Sequence, residues 1–385
     1  MRKVYLDNAA TTPPHPEVIE AVSSVMLENY ANPSSLHYAG KQASKVLNEA
    51  RAVVARHINA RSSEIIFTSG GTESNNLALR GAMKVQPPEK NHIVISAIEH
   101  KAVLKAVKEM EREGFEVTRV APDHHGRITP DAVEKALRPS TALVSVMLVN
   151  NEIGTVQPVR EIAQRVHSKD ALVHTDAVQA LGKVRVDVED LNVDFLTLSG
   201  HKVHGPKGVG TLYVRKGVKM YPTQLGGGQE QGRRAGTENV PGIVGFAKAV
   251  ELLGKNASDR AQRIEVLRNR LQETIASRIT DAVFNGAGAQ RAPHILSVSL
   301  KYVEINYLLR RLSTMGVCVT SGSACASGSL EPSHVLTAIG HGNGLAQNTI
   351  RFSLSENTTE DKVDYAASCL VKAVRELRGT IPAGA

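Results

Sequence analysis

The sequence predicts an α/β protein in which a largely parallel sheet carries helices on both faces. Segments with strand patterning alternate along the first half of the chain with segments whose apolar residues recur at helical spacing. The chain has 31 glycines, no tryptophan and 4% aromatic residues, which suits an α/β protein rich in tight turns better than a β-sandwich. Strands that alternate with helices favour parallel pairing, and such sheets bind ligands beyond the carboxyl ends of their strands.

The expected elements follow one another from the N-terminus. Residues 5–14 read as a short strand that enters a turn, and residues 41–57 as a helix. The alternating series consists of strands at 64–68, 92–96, 142–149, 171–175 and 194–198 and of helices at 73–83, 101–113 and 159–168. A long helix at 257–277 leads to strands at 295–300, 317–320 and 350–354 and to a final helix at 359–378. We predict a large domain of residues 16–256 and a small α+β domain made of residues 1–15 and 257–385.

Composition and charge exclude several classes of protein. The chain is 42% hydrophobic and 22% charged, it has no apolar run near the roughly 18 residues that span a bilayer, and its first residues lack the apolar core of a signal peptide. The net charge of +8 comes from scattered basic residues rather than from a basic run interleaved with aromatic residues. We therefore expect a cytoplasmic protein with no membrane contact and no direct nucleic-acid partner.

A lysine follows the buried strand candidate at 194–198. Ser199, His201 and Lys202 come directly after this apolar run and precede a turn rich in glycine and proline. A lysine at the exit of a buried strand is well placed for a desolvated amine that condenses with a carbonyl group. Taken alone, the position fits equally a surface lysine whose head reaches water.

Three further strand ends carry polar residues. The turn at 68–76 opens a helix, and its glycines and Thr72 favour an anion, although an ordinary capped turn has the same pattern. Asp176 follows a buried strand, where it would need a cation such as a protonated pyridine nitrogen or would cap the next helix. His100 could stack on a ring, move protons or be structural. Together these residues form the set that a pyridoxal-phosphate enzyme requires.

Cys325 differs from the other two cysteines in its neighbouring residues. The segment 319–332 is small, polar and flanked by glycines, so that a mobile loop is predicted at about 320–332. A structural cysteine is normally buried among apolar neighbours, and we therefore predict that Cys325 is a nucleophile. Cys318 and Cys369 lie among apolar residues and are predicted to be core residues with free thiols.

These motifs together resemble those of the NifS/IscS-type cysteine desulfurases, which are fold-type-I pyridoxal-phosphate enzymes. The resemblance covers nearly the whole chain in the same order, and it is carried by residues 5–12, 32–37, 71–76, 150–154, 199–208, 234–239 and 321–332. His204 stands where many members have an aromatic residue. The resemblance implies a large domain with a mostly parallel seven-stranded sheet and a smaller C-terminal domain.

The resemblance also implies a role for each matching residue toward the cofactor, pyridoxal 5′-phosphate. Lys202 would form the Schiff base with the cofactor and later move protons. Gly71, Thr72, Ser199 and His201 would hold the phosphate, Asp176 the pyridinium nitrogen and Gln179 the ring hydroxyl; Asn151 would contact cofactor or substrate, and His100 would stack on the ring. Thr237 would reach the phosphate of a partner subunit, which implies a homodimer.

The implied reaction converts L-cysteine to L-alanine. Asn32 and Arg351 would hold the substrate carboxylate, and Cys325 would carry the sulfur as a persulfide to an iron–sulfur scaffold protein. Cys325 is also the candidate ligand of a transient iron–sulfur cluster. A selenocysteine lyase or an aminotransferase on the same fold, and a platform without catalysis, remain the alternatives. The cysteine loop argues against the aminotransferase.

Overall fold

The computed structural model describes residues 2–254, 257–322 and 332–379 of the chain. Within these ranges the strands form a large sheet of seven strands, a small sheet of three and one two-stranded pair. The strands are β1 (Val4–Tyr5), β2 (Ile65–Thr68), β3 (His92–Ser96), β4 (Glu116–Val120), β5 (Thr141–Ser145), β6 (Leu172–Asp176), β7 (Phe195–Ser199), β8 (Gly210–Val214), β9 (Val283–Asn285), β10 (Ile295–Ser299), β11 (Val317–Cys318) and β12 (Thr349–Ser353). The predicted fold with a mostly parallel seven-stranded sheet is confirmed.

The large sheet has the strand order β2-β8-β7-β6-β5-β3-β4. Strands β3 to β7 pair in parallel, and β8 runs antiparallel to both β2 and β7. All residues of β3, β5 and β7 are buried, because helices cover both faces of the sheet. The carboxyl ends of the parallel strands therefore lie along one edge, which is where the candidate site residues are expected.

Within the described ranges, helices cover both faces of the large sheet and also pack against the small sheet. They are α1 (Pro16–Glu28), α2 (Tyr38–His57), α3 (Gly71–Lys84), α4 (Lys101–Arg112), α5 (Pro130–Ala136), α6 (Val159–His167), α7 (Val188–Leu191), α8 (Val240–Gly254), α9 (Ala257–Arg278), α10 (Ile305–Thr314), α11 (His334–Ala338), α12 (Asn343–Gln347) and α13 (Glu360–Gly379). Ile93 and Ile95 of β3 pack with α3 and α4, whereas Val94 packs on the other face with α2, α6 and α8. This alternation follows from the two-residue period of a strand.

The sequence did not predict strands β4, β8 and β9 or helices α1, α5, α7, α8, α10, α11 and α12. Strand β4 lies at the edge of the large sheet and keeps exposed residues, so its sequence has no apolar run. Helix α8 is buried on several sides and contains glycines that read as breaks in the pattern. At one of them, Gly245, a Cβ would lie 2.5 Å from Val22 of α1, so this glycine permits close packing of two helices. The predicted strand at 142–149 leaves the sheet after Ser145 although its residues stay buried.

A separate hydrophobic core surrounds the small sheet, whose strand order is β12-β10-β9. Helices α9, α10 and α13 contribute Leu271, Leu308 and Leu370 to this core, and the N-terminal segment contributes Val4 and Leu6. Strand β1 pairs in parallel with β11, which attaches the N-terminus to this region. The division into domains of residues 16–256 and of 1–15 with 257–385 stays a prediction.

The two described cysteines differ in burial. Cys369 on α13 is buried, as predicted. The prediction that Cys318 belongs to the core is wrong, because its side chain is exposed. Strand β11 has a partner only in β1 among the described residues, and of its two residues Val317 points into the core while Cys318 points to solvent.

The N-terminal segment, residues 7–15, connects the small sheet to the carboxyl ends of the large sheet. Asp7 forms a bridge with Ser353 of β12, and farther along the segment the backbone N–H of Thr12 donates to the carbonyl of His201, 2.9 Å away. The N–H of His15 donates to the carbonyl of His204 over 3.1 Å. This segment therefore lies against the turn that carries Lys202. In the described parts of the chain, none of the helices has the length and apolar character needed to cross a membrane.

Candidate active site

A cavity of about 250 Å³ lies at the carboxyl ends of the parallel strands. The predicted site residues that line it are Gly71, Thr72, His100, Asn151, Asp176, Gln179, Ser199, His201, Lys202 and Arg351. These residues come from six different parts of the chain, and the parallel sheet brings most of them to one edge. Arg351 comes from the small sheet, so the cavity lies where the two sheets meet.

Three predicted residues are not among those that line the cavity. Asn32 is exposed between α1 and α2, where its Oδ1 accepts a hydrogen bond from the N–H of Ser34. Thr237 is exposed on the segment before α8. Cys325 lies outside the described residues. The roles expected of these three residues stay predictions.

Lys202 is the last residue of a single 3₁₀ turn that follows β7. Its Nζ donates hydrogen bonds to the carbonyls of Ala9 and Ala10, each 2.7 Å away, so the N-terminal segment holds the amine at the cavity wall. The turn is tight: a Cβ on Gly205 would lie 2.7 Å from the carbonyl oxygen of Gly200. The alternative of an ordinary surface lysine is wrong, because the side chain is half-buried and its amine bonds within the protein.

One end of the cavity suits an anion. Helix α3 begins there at Gly71, and its N-cap Gly70 supplies no side-chain cap to the first turn. Thr72, Ser199 and His201 lie beside this turn, and an adjoining cleft of about 380 Å³ includes Lys207. Burial and the nearby Lys202, Lys207 and Lys183 lower the pKa of His201 to about 4, so its ring is neutral at pH 7. An uncapped helix start beside hydroxyl groups favours a phosphate.

The other end carries the carboxylate of Asp176, which is 5% exposed. Its Oδ2 accepts from Nδ2 of Asn75 over 2.7 Å, and its Oδ1 accepts from the N–H of Val178 over 3.0 Å. The alternative that Asp176 caps a helix is wrong, because residues 178–182 form a turn. Within the described ranges, no basic side chain forms an ion pair with Asp176. A buried carboxylate of this kind suits a cationic group of a ligand.

His100 is the N-cap of α4 and lines the cavity. Its Nδ1 accepts a hydrogen bond from the N–H of Ala102 over 3.1 Å, so the neutral ring carries its proton on Nε2. Burial lowers the pKa of His100, the charge of Asp176 opposes this shift, and the charge of Lys202 adds to it. The ring is therefore neutral near pH 7 and can stack on a flat ligand.

Glu99 precedes His100 and is fully buried. Its Oε1 accepts from Oγ of Ser96 over 2.6 Å and from the N–H of Met147 over 2.7 Å. Burial raises the pKa of Glu99 to about 8, so this carboxyl group is mostly protonated at pH 7. Glu99 thus joins three segments of the cavity wall without adding a charge to it.

Arg351 of β12 is only 1% exposed. Its Nη1 donates to the carbonyl of Asn151 over 2.7 Å and its Nη2 to Oδ1 of Asp7 over 3.0 Å, while its Nε is buried without a hydrogen-bond partner. Burial raises the pKa of Asp7, although the charges of Arg351 and Lys202 oppose this shift. The guanidinium group is thus fixed by protein contacts and keeps donor capacity for a carboxylate.

Sequence reasoning missed several residues of the site. Asn75, which holds Asp176, lies four residues after Gly71 and hence on the same face of α3, so helical spacing could have identified it. Asp7 and the carbonyls of Ala9 and Ala10 belong to an N-terminal motif whose distance from Lys202 along the chain hides the contact. Gln179 donates from Nε2 to the carbonyl of Ala9 over 2.8 Å, which adds a further tie to that segment.

A second group of ionisable residues, the Glu356 cluster, comprises His15, Lys183, His204, Arg260 and Glu356. The rings of His15 and His204 stack with centroids 4.5 Å apart, and Nε2 of His15 lies 2.7 Å from Oε1 of Glu356. Arg260 lies 3.5 Å from the other carboxylate oxygen. The ligand atoms of His15, His204 and Glu356 lie within 4.8 Å of one another, but Arg260 already pairs with the carboxylate, and a cationic neighbour disfavours a metal ion. We therefore assign no metal to this cluster.

Comparisons with a family model and with individual known proteins indicate the same family. A model of the aminotransferase class-V family matches residues 4–366. A cysteine desulfurase from Trichormus azollae is 46% identical over 99% of this chain and 95% of its own length, and the cysteine desulfurase IscS from Dictyoglomus turgidum is 45% identical over 99% and 97%. Enzymes of this family use pyridoxal 5′-phosphate.

Solved structures agree with these relatives. A structure described as a NifS-like protein is 39% identical to this chain, covers 97% of it and 100% of its own chain, and superposes with a TM-score of 0.92. A structure described as SspA in complex with cysteine is 39% identical, covers 93% of this chain and all of its own, and has a TM-score of 0.83. The chain therefore belongs to the class-V aminotransferase family and, within it, to the cysteine desulfurases of the NifS/IscS type.

Proposed function

We propose that this protein uses pyridoxal 5′-phosphate to convert L-cysteine to L-alanine and that the sulfur passes to Cys325 as a persulfide. One observation carries the proposal. A single cavity combines the Lys202 amine, an uncapped helix start and a buried carboxylate that forms no ion pair within the described ranges. Those three features match the aldehyde, the phosphate and the ring nitrogen of this cofactor.

The donor set supports the fit of the cofactor. Gly71, Thr72, Ser199 and His201 would hold the phosphate at the start of α3. Asp176 would balance a protonated ring nitrogen, with Asn75 keeping its carboxylate in place. His100 would stack on the ring. Gln179 and Asn151 would provide amide groups to the ring hydroxyl and to the substrate side of the cavity.

Arg351 would bind the carboxylate of L-cysteine, because its buried guanidinium group lines the same cavity as Lys202. The similar structure described as SspA in complex with cysteine has the same fold, which supports L-cysteine as the substrate of this protein. Asn32 is predicted to share this role, although it does not line the cavity of one chain. Its part in substrate binding stays a proposal.

The segments on both sides of residues 323–331 lie next to the cavity, which supports a role for Cys325. Gly322 is in contact with Glu152, since a Cβ there would lie 2.9 Å from Oε2 of Glu152. The hydroxyl group of Ser333 donates to the same oxygen, and Nε2 of His334 lies 2.9 Å from the carbonyl of Glu99.

The proposed mechanism gives each side chain one task. Pyridoxal 5′-phosphate, when bound, withdraws electrons from the carbon atoms of an amino acid joined to it. Lys202 would take the Cα proton of the substrate and later supply a proton to the product. The thiolate of Cys325 would attack the substrate sulfur, so that an S–S bond forms while the Cβ–S bond breaks and its electron pair stays on Cβ. Protonation of Cβ then gives alanine.

We also propose a homodimer in which Thr237 completes the partner's phosphate site. Thr237 is exposed and does not line the cavity of its own chain, which leaves it available to another. Large apolar side chains are exposed on α1, α2 and the segment between them: Leu27 at 77%, Tyr30 at 77% and Leu36 at 88%. A patch of exposed apolar side chains often marks a protein–protein contact.

The acceptor of the sulfur is proposed to be an iron–sulfur scaffold protein, with Cys325 as the delivery point and as the candidate ligand of a transient cluster. The two-domain division at 16–256 would let the region that bears Cys325 move relative to the cavity. The separate core around the small sheet supports this division. The cytoplasmic location and the absence of a nucleic-acid partner stay predictions.

The test mixes purified protein, loaded with pyridoxal 5′-phosphate, with L-cysteine and quantifies both alanine and persulfide on Cys325. We expect equal amounts of alanine and transferable sulfur, and we expect the C325A variant to keep the cofactor but to lose sulfur transfer. A C325A variant with near-normal sulfide release would contradict the role of Cys325. Alanine without persulfide, together with faster turnover of selenocysteine, would favour the lyase; no turnover by a protein that holds its cofactor would favour the aminotransferase.

A further inference from the structure

Lys183 touches the catalytic lysine from outside the cavity. It lies in the turn region after β6, and its Nζ donates a hydrogen bond to the backbone carbonyl of Lys202 over 2.5 Å. Lys183 is not among the residues that line the cavity of the site, so it would contact neither cofactor nor substrate. It reaches the reaction only through the backbone of Lys202.

The other carbonyls of this turn are held differently. The carbonyl of His201 accepts from both the N–H and the hydroxyl group of Thr12, and the carbonyl of His204 accepts from the N–H of His15. These partners are neutral and belong to the N-terminal segment. Lys202 instead receives a hydrogen bond from an amino group, which is stronger when that group is charged. The N-terminal segment therefore holds the turn on both sides of Lys202, whereas Lys183, from the turn region after β6, holds it at Lys202 itself.

The surroundings of Lys183 make its charged form unfavourable. Burial lowers the pKa of Lys183 to about 7, the charges of Lys202 and Arg260 add to this shift, and the charge of Glu356 opposes it. The titratable groups that interact with it are Lys202, His201, His204, Arg260, His294 and Glu356. A buried amine destabilises a fold unless its contacts compensate. An apolar side chain of the same length would fill this space at a smaller cost in folding free energy. The amine is therefore expected to have a function in the active site.

We propose that Lys183 is a positioning residue that fixes the backbone of Lys202 so that the Lys202 amine meets its partners in one orientation. This inference rests on the proposed function, because it assigns the orientation of Lys202 to the desulfurase reaction. A misplaced reactive group can lose one to two orders of magnitude in rate while substrate binding stays intact.

The test compares K183M, which keeps the length but removes the donor, with K183R, which keeps donors and charge. Each variant, loaded with pyridoxal 5′-phosphate, is assayed for kcat and KM with L-cysteine and for the visible circular dichroism of the bound cofactor. For K183M we expect kcat to fall about tenfold, KM to stay within about twofold, and the visible dichroism to weaken. We expect K183R to recover most of the kcat and of the dichroism.

K248M serves as the matched control, because Lys248 is a lysine of α8 that pairs with Glu251 at the surface. It should match the wild type in every readout. Wild-type kcat and dichroism in K183M would overturn the proposal, as would a K183R variant that folds but is no better than K183M. If K183M does not fold, K183A, which also removes the donor, replaces it under the same criteria. A loaded wild-type protein that makes no alanine contradicts the proposed function instead.

Discussion

The cavity and the Glu356 cluster both gather charged side chains, but they differ in how those charges are paired. In the cluster, His15 and Arg260 surround the carboxylate of Glu356, and Lys183 is bonded to a carbonyl. In the cavity, the carboxylate of Asp176 has amide partners and forms no ion pair with a described side chain, and Nε of Arg351 is buried without a partner. Charge left incompletely paired in a buried place costs stability and therefore points to a ligand. The carboxylate of Glu356, which has two ion-pair partners, serves the fold.

The largest effect should come from the centre of the cavity. K202A removes the amine that would bind the cofactor aldehyde, so we expect alanine formation to fall by at least about 10³-fold. The thermal midpoint should change by only a few degrees, because the lost hydrogen bonds reach the carbonyls of a segment that is also held by Thr12 and His15. Turnover and thermal unfolding of K202A and K248A measure this contrast. A K202A variant with more than a tenth of normal turnover would refute it.

The next variant tests the unpaired carboxylate. D176N keeps the shape and the neighbours of Asp176 but removes the charge that would balance the ring nitrogen, so we expect kcat to fall about 10²-fold. Stability should not fall, since an amide avoids the cost of a buried charge. The measurement pairs kcat with chemical unfolding of the cofactor-free protein. If D176N lost stability and kept kcat, the carboxylate would be structural and the comparison between the two regions would fail.

E356Q should give the opposite result, with little loss of activity and a clear loss of stability. The hydrogen bond from His15 and the charges of His204, His15 and Arg260 lower the pKa of Glu356 to about 2, below its usual 4.5. A lowered pKa stabilises the fold above pH 4.5, and this stabilisation disappears as the pH falls from 4.5 to 2. Because the group is partly exposed, we expect E356Q to lose only about 1–2 kcal/mol at pH 7. Unfolding curves at pH 7 and pH 3 provide the check: the difference between variant and wild type should shrink at pH 3.

The smallest effect on turnover is expected for E99Q, because the protonated Glu99 adds no charge to the cavity. The pKa of Glu99 is raised to about 8 in the fold, so the wild type loses stability as the pH rises from 4.5 to 8, because the unfolded chain releases this proton in that range while the fold keeps it. The glutamine keeps an acceptor for Ser96 and Met147 and does not ionise. The variant should therefore match the wild type at pH 5 and exceed its thermal midpoint at pH 9. Equal midpoints at both pH values would show that Glu99 does not titrate as assigned.

Sequence reasoning found the parts of the site that lie at the ends of regular strands. The apolar runs before Ser96, Asp176 and Ser199 identified three of the strand ends, because a buried strand is a strong local signal. Contacts between segments that lie far apart in the sequence could not be predicted. The bond from Lys202 to Ala9 joins residues separated by 193 positions, and nothing local to either residue encodes it. Likewise, the outward turn of Cys318 depends on which strand pairs with β11, which its apolar neighbours do not reveal.

The N-terminal segment has a consequence for how the protein is made. Residues 7–15 leave the ribosome long before their partners: Asn8 donates to the carbonyl of Ser353, 345 positions later, and Lys202 is held by the carbonyls of Ala9 and Ala10. This segment must therefore wait without its final partners until residue 353 has been synthesised. Such distant closure slows folding and exposes apolar residues such as Val4 and Leu6 for the longest time. The contact between Asp7 and Arg351 at the cavity is thus expected to form later than the contacts of Lys202 with Ala9 and Ala10.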